Sequence, residues 1–245
     1  MVAGCIVYGY RARSEIAGVR SRATFDTLAR MTVSQTRIAS ESASIPGPAG
    51  LLEALIDTPE AGAGEHVVVV CHPHPLHGGT MTNKVAHMLA KAFNSVGAAA
   101  VRFNFRGVGK SAGAYAEGIG ETDDALAVME WAGERWPHAK LSLAGFSFGG
   151  AVAIRAAAMR PVYRLVTVAP AVDRVDVPTA VLPTCPWLIV QGDQDDVVDP
   201  TKIREWAEGL AQRPELALLS GVGHYFHGRL NELKEVVVNW FQETM

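Results

Sequence analysis

Residues 66–71, HVVVVC, form a nearly unbroken β-branched run, and no other stretch limits the possible folds of this chain so tightly. A strand with one wet face alternates apolar and polar residues. A strand that is apolar on both sides needs cover on both, which a parallel sheet flanked by helices supplies. The later runs AAAVRFNF, KLSLAG, RLVTVA, PWLIVQG and LALLS also read as strands. Helical stretches separate them near residues 83–96, 121–135, 148–159 and 200–211, and a last helix is expected near 228–243. This alternation predicts an α/β fold with a mostly parallel, doubly wound sheet and helices on both faces. Upstream, VSQTRIAS and LLEALID read as strands punctuated by Pro46, Gly47, Pro48, Pro59 and Gly62, and are expected to form an antiparallel edge.

The chain has 245 residues, 49% hydrophobic and 19% charged, enough for one domain with a substantial core. No repeat or linker divides it. The net charge of -3 offers no cationic excess for a phosphate backbone or an anionic membrane face, so neither nucleic acid nor membrane is an expected partner. No apolar run reaches the roughly 18 to 20 residues of a membrane span. Cys5, Cys71 and Cys185 are too scattered for a disulfide framework or a Cys-x-x-Cys motif and read as packing residues in a reducing compartment. The opening VAGC is like a lipoprotein cleavage box, but it lacks a basic start and an apolar stretch before Cys5. A cytoplasmic location is expected.

Residues 1–30 carry five arginines against Glu15 and Asp26. That composition suits a transit peptide, and equally a start assigned too far upstream, with Met31 the true one. Residues 1–30 are expected to be a disordered or spurious extension, and 31–245 the folded domain.

The strongest local signal is GFSFG, residues 145–149, between strand KLSLAG and the helix that opens FGGAVAIRAAA. Glycines on both sides of Ser147 permit a sharp strand-to-helix turn that pushes the hydroxyl out of the sheet, while the helix N-terminus stabilises developing negative charge. The bland alternative is a glycine-rich turn with an incidental serine. A serine hydroxyl is a weak nucleophile and needs a base, which needs an orienting acid. Both kinds of residue lie downstream. Strand PWLIVQG is followed by Asp193, Asp195, Asp196 and Asp199, and strand LALLS by His224 and His227. Residue order alone leaves the choice within each cluster open.

Two further segments compete for attention. HPHPLHGG, residues 72–79, places three histidines within six residues, which could be metal ligands, but no Asp, Glu or Cys joins them in the run. RFNFRGVGKS contains GKS, yet a phosphate-binding loop needs a glycine where Asn104 stands.

From HVVVVCHPHPLHGG to the C-terminus the chain resembles the α/β-hydrolase superfamily, particularly its small lidless bacterial members related to dienelactone hydrolases. The resemblance implies a single-domain α/β-hydrolase fold without a cap domain, acting without metal or organic cofactor. The family's G-x-x-D followed by valine and proline maps to Gly192 and Asp195, and its histidine before an aromatic maps to His224. HPHPLHGG resembles the family's H-G-x-P turn with Pro73 in place of glycine. That implies an oxyanion hole made by the backbone N–H groups of His74 and Phe148, with His72 and His77 ordering the loop. RFNFRGVGKS resembles the R-G-x-G-x-S segment, where Arg106 and Gly107 shape a turn beside the site and many members carry an acid at the position of Asn104.

Between RLVTVA and PWLIVQG only APAVDRVDVPTAVLPTC intervenes, too short for a helical lid. The open cleft is expected to take a small ester, with Leu76, Phe146, Phe148, Tyr225 and Phe226 as candidate lining residues, the alternative being ordinary core. The implied activity is that of a serine carboxylesterase. Lactonase, thioesterase and amidase activities share its constellation, and a binding protein that has lost turnover is the competitor from another class.

Overall fold

The computed structural model describes residues 6–7, 37–175, 177 and 181–244. Its strands are β1 (Ile6–Val7), β2 (Ile38–Gly47), β3 (Gly50–Pro59), β4 (His66–Cys71), β5 (Ala99–Phe103), β6 (Lys140–Phe146), β7 (Leu165–Val168), β8 (Trp187–Gly192) and β9 (Glu215–Leu219). The α-helices are α1 (Lys84–Ser95), α2 (Ile119–Arg135), α3 (Phe148–Met159), α4 (Pro200–Gly209) and α5 (Leu230–Glu243). No helix among the described residues is long and apolar enough to cross a membrane.

One sheet runs β1-β9-β8-β7-β6-β4-β5-β3-β2. The six strands from β9 to β5 are mutually parallel, while β3 and β2 form the antiparallel edge. All six residues of β4 are buried, as its unbroken apolar run predicts. One face packs under α1 and α5, through Leu89, Phe93, Leu233, Val237 and Phe241. The other packs under α2, α3 and α4, through Val128, Met129, Val152, Ile154 and Ile203.

The first edge strand departs from expectation. It runs from Ile38 through Pro46 to Gly47, paired with β3 along its whole length, while the expected start near residue 33 lies outside the described residues. Proline is tolerated there because β2 is the outermost strand, where a missing N–H breaks no ladder. Within the segment expected to be an extension, Ile6–Val7 pair antiparallel with β9 at Leu218 and Ala217. The rest of that expectation falls outside the described residues.

The chain steps from β4 to β5 on one side, then returns to place β6 on β4's other side. The loops leaving β4 and β6 therefore diverge at adjacent strand ends, the kind of switch point at which open α/β sheets bind ligands.

Candidate active site

Ser147 sits where β6 becomes α3, at φ 56° and ψ −119°. A left-handed conformation is costly for a residue with a side chain, and here the glycines around it make the turn possible. A Cβ on Gly145 would lie 2.1 Å from the Gly149 carbonyl oxygen, and one on Gly149 2.3 Å from that of His72. The elbow thus presses against the loop leaving β4. The Ser147 N–H donates to the Val168 carbonyl (2.9 Å), and its own carbonyl accepts from Ala171 N–H (3.1 Å), tying the turn to the end of β7.

Sequence order brings three loops together as expected. His224 Nε2 lies 3.1 Å from Ser147 Oγ, and His224 Nδ1 lies 2.8 Å from Asp195 Oδ2. All three side chains are buried or nearly so. The other Asp195 oxygen accepts the N–H groups of Val197 (2.9 Å) and Val198 (2.7 Å). Burial alone raises the Asp195 carboxyl, but its bonds from His224, Val198 and Val197 and the nearby imidazole outweigh burial and hold it below the usual carboxylate range. An ionised Asp195 requires the proton on His224 Nδ1, which leaves Nε2 free to accept from the serine hydroxyl.

The neighbouring candidates do other work. Asp193 accepts the Gly221 N–H (2.7 Å) and so braces the histidine loop. Asp199 caps α4 by accepting from Thr201 and Lys202. Asp196 is exposed, and so is His227, whose ring stacks on Tyr225.

The three histidines after β4 also separate in role. His72 is fully buried; its Nε2 accepts the Phe105 N–H (3.0 Å), so its Nδ1–H donates to the Pro73 carbonyl (2.6 Å). Burial pushes its pKa down to about 4. In a trans peptide the carbonyl and the following N–H point in opposite directions. Anchoring the Pro73 carbonyl inward therefore turns the His74 N–H away from His72, toward the cleft. Neither the His74 N–H nor the Phe148 N–H has an acceptor among the described residues. The His74 ring accepts from Leu76 N–H (3.2 Å) and contacts Tyr115, with His74 Nε2 3.3 Å from the phenol oxygen. Among the described residues no three His, Cys, Asp or Glu side chains form a group able to hold a metal ion.

A cleft of about 240 Å³ opens over Ser147, lined among others by His74, His77, Phe148, Arg174, Val175 and Tyr225. Three expected lining residues are placed elsewhere. Phe146 and Phe226 are fully buried in the core beneath α1 and α5. The last residue of β6 points to that face, and the Phe146 ring supports the His224 imidazole from below (4.9 Å between centroids). Leu76, in the short 3-10 turn Pro75–His77, is 67% exposed and lies outside the cleft lining.

The turn around Arg106 forms as anticipated: its guanidinium and backbone N–H both engage the buried Asp124 carboxylate. Asn104 is answered across the sheet edge, its Nδ2 donating to Glu53 (2.8 Å) while its Oδ1 accepts from Met81 N–H (2.8 Å). Glu53 thus supplies a carboxylate beside the position where many family members carry an acid.

Two residues escaped the sequence reading. Gln191, fully buried in the last turn of β8, directs its Nε2 at Asp195 Oδ2 (3.0 Å) and at the carbonyls of Gly192 and Val198 (3.3 Å each). A polar residue inside the apolar run WLIVQG, four positions before the acid, was the available signal. Arg174 comes from the segment read only as too short for a lid.

Comparison with known proteins finds relatives among the serine hydrolases. A family model described as serine aminopeptidase, S33, matches residues 65–184. An α/β serine hydrolase homologue from Coxiella burnetii is 44% identical, with 81% of this chain and 96% of that one covered and a TM-score of 0.78. A serine hydrolase without a lid from Xanthomonas campestris is 40% identical, covering 84% and 95%, with a TM-score of 0.80. An uncharacterized protein of Rickettsia prowazekii is 31% identical over 204 residues, 78% of this chain and 84% of its own length.

Proposed function

The chain belongs to the α/β-hydrolase superfamily, among its serine hydrolases, and on that premise we propose that it cleaves small carboxylic esters through an acyl-enzyme. The observation that carries the reading is the continuous chain Ser147–His224–Asp195 at an open cleft flanked by two backbone N–H groups that have no acceptor among the described residues.

Ser147 Oγ attacks the ester carbonyl while His224 Nε2 takes its proton. Asp195 holds the imidazole in the required tautomer and stabilises the imidazolium. The carbonyl oxygen, now an oxyanion, accepts from the His74 and Phe148 N–H groups. Collapse expels the alcohol, protonated by His224, and leaves Ser147 acylated. A water deprotonated by His224 then attacks the acyl carbon and releases the acid.

The family model's description names an aminopeptidase, and the cleft argues against that specificity here. An aminopeptidase must receive an α-ammonium group, for which a carboxylate is the natural partner. Among the described residues, the only formally charged side chain lining this cleft is the cation Arg174. Lactones, thioesters and amides present the same carbonyl to the same groups, and small esters, with the better leaving group than an amide, suit an unlidded site.

The test is hydrolysis of p-nitrophenyl acetate and butyrate against alanine and leucine p-nitroanilides. The reading expects ester turnover that disappears in Ser147→Ala with the fold intact. Turnover of the anilides in preference to the esters, or ester turnover surviving in Ser147→Ala, contradicts it.

A further inference from the structure

We infer that Arg174 forms an anion subsite of the cleft and that the preferred esters carry a carboxylate on the far end of their acyl chain, as monoesters of short dicarboxylic acids do. The inference deepens the ester reading and rests on it.

Arg174 is exposed, yet it is held in place from two directions. Its backbone N–H donates to the Ala171 carbonyl (3.2 Å), and Ala171 N–H donates in turn to the carbonyl of Ser147 itself. Its Nη2 donates to the Val197 carbonyl (2.7 Å), and Val197 N–H binds the Asp195 carboxylate. The backbone of Arg174 is thus tied to the nucleophile's turn and its guanidinium to the acid loop, which limits its distance from the reacting carbon.

Only one of its five N–H donors is engaged by a described hydrogen bond, and no carboxylate among the described residues pairs with it. Where arginine only ties loops together, its remaining donors face solvent. Here Arg174 lines the same cleft as Ser147, together with His74 and His77. Arg174 supplies a fixed positive charge there: after burial, His77 and Arg174 press the His74 pKa below its ordinary value. A planar carboxylate matches the guanidinium fork, which offers paired parallel donors. A positive wall also repels ammonium-bearing substrates, so the cleft selects by charge twice.

The experiment compares monoethyl succinate, glutarate and adipate with ethyl butyrate, valerate and hexanoate, in which a methyl group replaces the carboxylate. The readout is the ratio of kcat/KM for each anionic ester over its neutral partner. In the wild type the ratio exceeds one for at least one chain length and falls as ionic strength rises, because the guanidinium is exposed to solvent. In Arg174→Gln that ratio drops by about 10-fold, carried by KM, and Arg174→Lys keeps part of it. Neutral esters turned over without any preference for the anionic ones, or a ratio unmoved in Arg174→Gln, overturns the subsite and leaves the ester reading standing. Failure of the enzyme to hydrolyse either set removes both.

Discussion

The two walls of the cleft are built by different means. On one, Ser147, His224 and Asp195 are at most 8% exposed, and each is fixed by hydrogen bonds to groups that are themselves buried. On the other, His77, Arg174 and Tyr225 are exposed and are held by a short turn, a ring contact or a single carbonyl. Chemistry needs reacting atoms placed to a fraction of an ångström, which only an over-determined wall achieves. Recognition tolerates looser placement, and its side chains can change without disturbing the sheet.

That contrast sets the scale of what substitutions do. Ser147→Ala and His224→Ala should lower kcat on short p-nitrophenyl esters by on the order of 10⁴ to 10⁶. Tyr225→Ala, on the other wall, should change KM by a few-fold. A loss of only a few-fold in His224→Ala would hand the base to His227. Asp195→Asn comes next, at about 10⁴ in kcat, since an amide cannot stabilise the imidazolium as a carboxylate does. Asp193→Asn and Asp196→Asn should remain near wild type, and a larger loss in either would break the assignment of the acid.

The oxyanion loop lies between the walls. His74→Ala keeps its N–H and should retain most activity, whereas His74→Pro removes the donor and should cost about 10² to 10³ in kcat. Circular dichroism on both variants checks that the loop change stays local. Equal, severe losses would show that the imidazole rather than the backbone matters. Gln191→Leu should lower kcat by about 10-fold with KM unchanged, because one hydrogen bond to the orienting carboxylate is lost while the cleft surface is untouched. A matching rise in KM would mean that Gln191 only supports the loop.

The catalytic wall was legible in the sequence for a physical reason. A nucleophile elbow needs glycines on either side of the serine, and buried parallel strands place the acid and histidine loops at the same sheet end, so local rules and topology fix which loops build that wall, while the choice of Asp195 and His224 within them came from the family resemblance. The β-branched run of β4 and the glycines at 145 and 149 carried most of this information. The recognition wall was not legible. Phe146 and Phe226 read as lining residues because they neighbour Ser147 and His224 in sequence. Strand alternation in one case, and the left-handed backbone at Phe226 (φ 52°) in the other, accompany burial in the core. Arg174 could not be found, because its approach to the cleft depends on a turn anchored to Ser147, a contact with no sequence signature.

The smallest effect concerns stability. His72 stays neutral in the fold, with its pKa lowered to about 4 by burial, while in the unfolded chain it titrates near its ordinary value. Between about pH 6.5 and 4 the unfolded chain therefore binds the extra proton, so stability from this group is present above that window and lost as pH falls through it. Urea midpoints should decline across the range, with a shallower decline in His72→Asn. An equal slope in the variant would place the proton uptake elsewhere.

The central claim is that Ser147 is the nucleophile, activated through His224. Labelling with a fluorophosphonate tests it most directly. The account predicts one adduct per chain, mapped to the tryptic peptide of residues 141–155, with no adduct in Ser147→Ala and a rate reduced by orders of magnitude in His224→Ala. An adduct on any other residue, or a wild-type protein that the probe leaves unmodified, would contradict it.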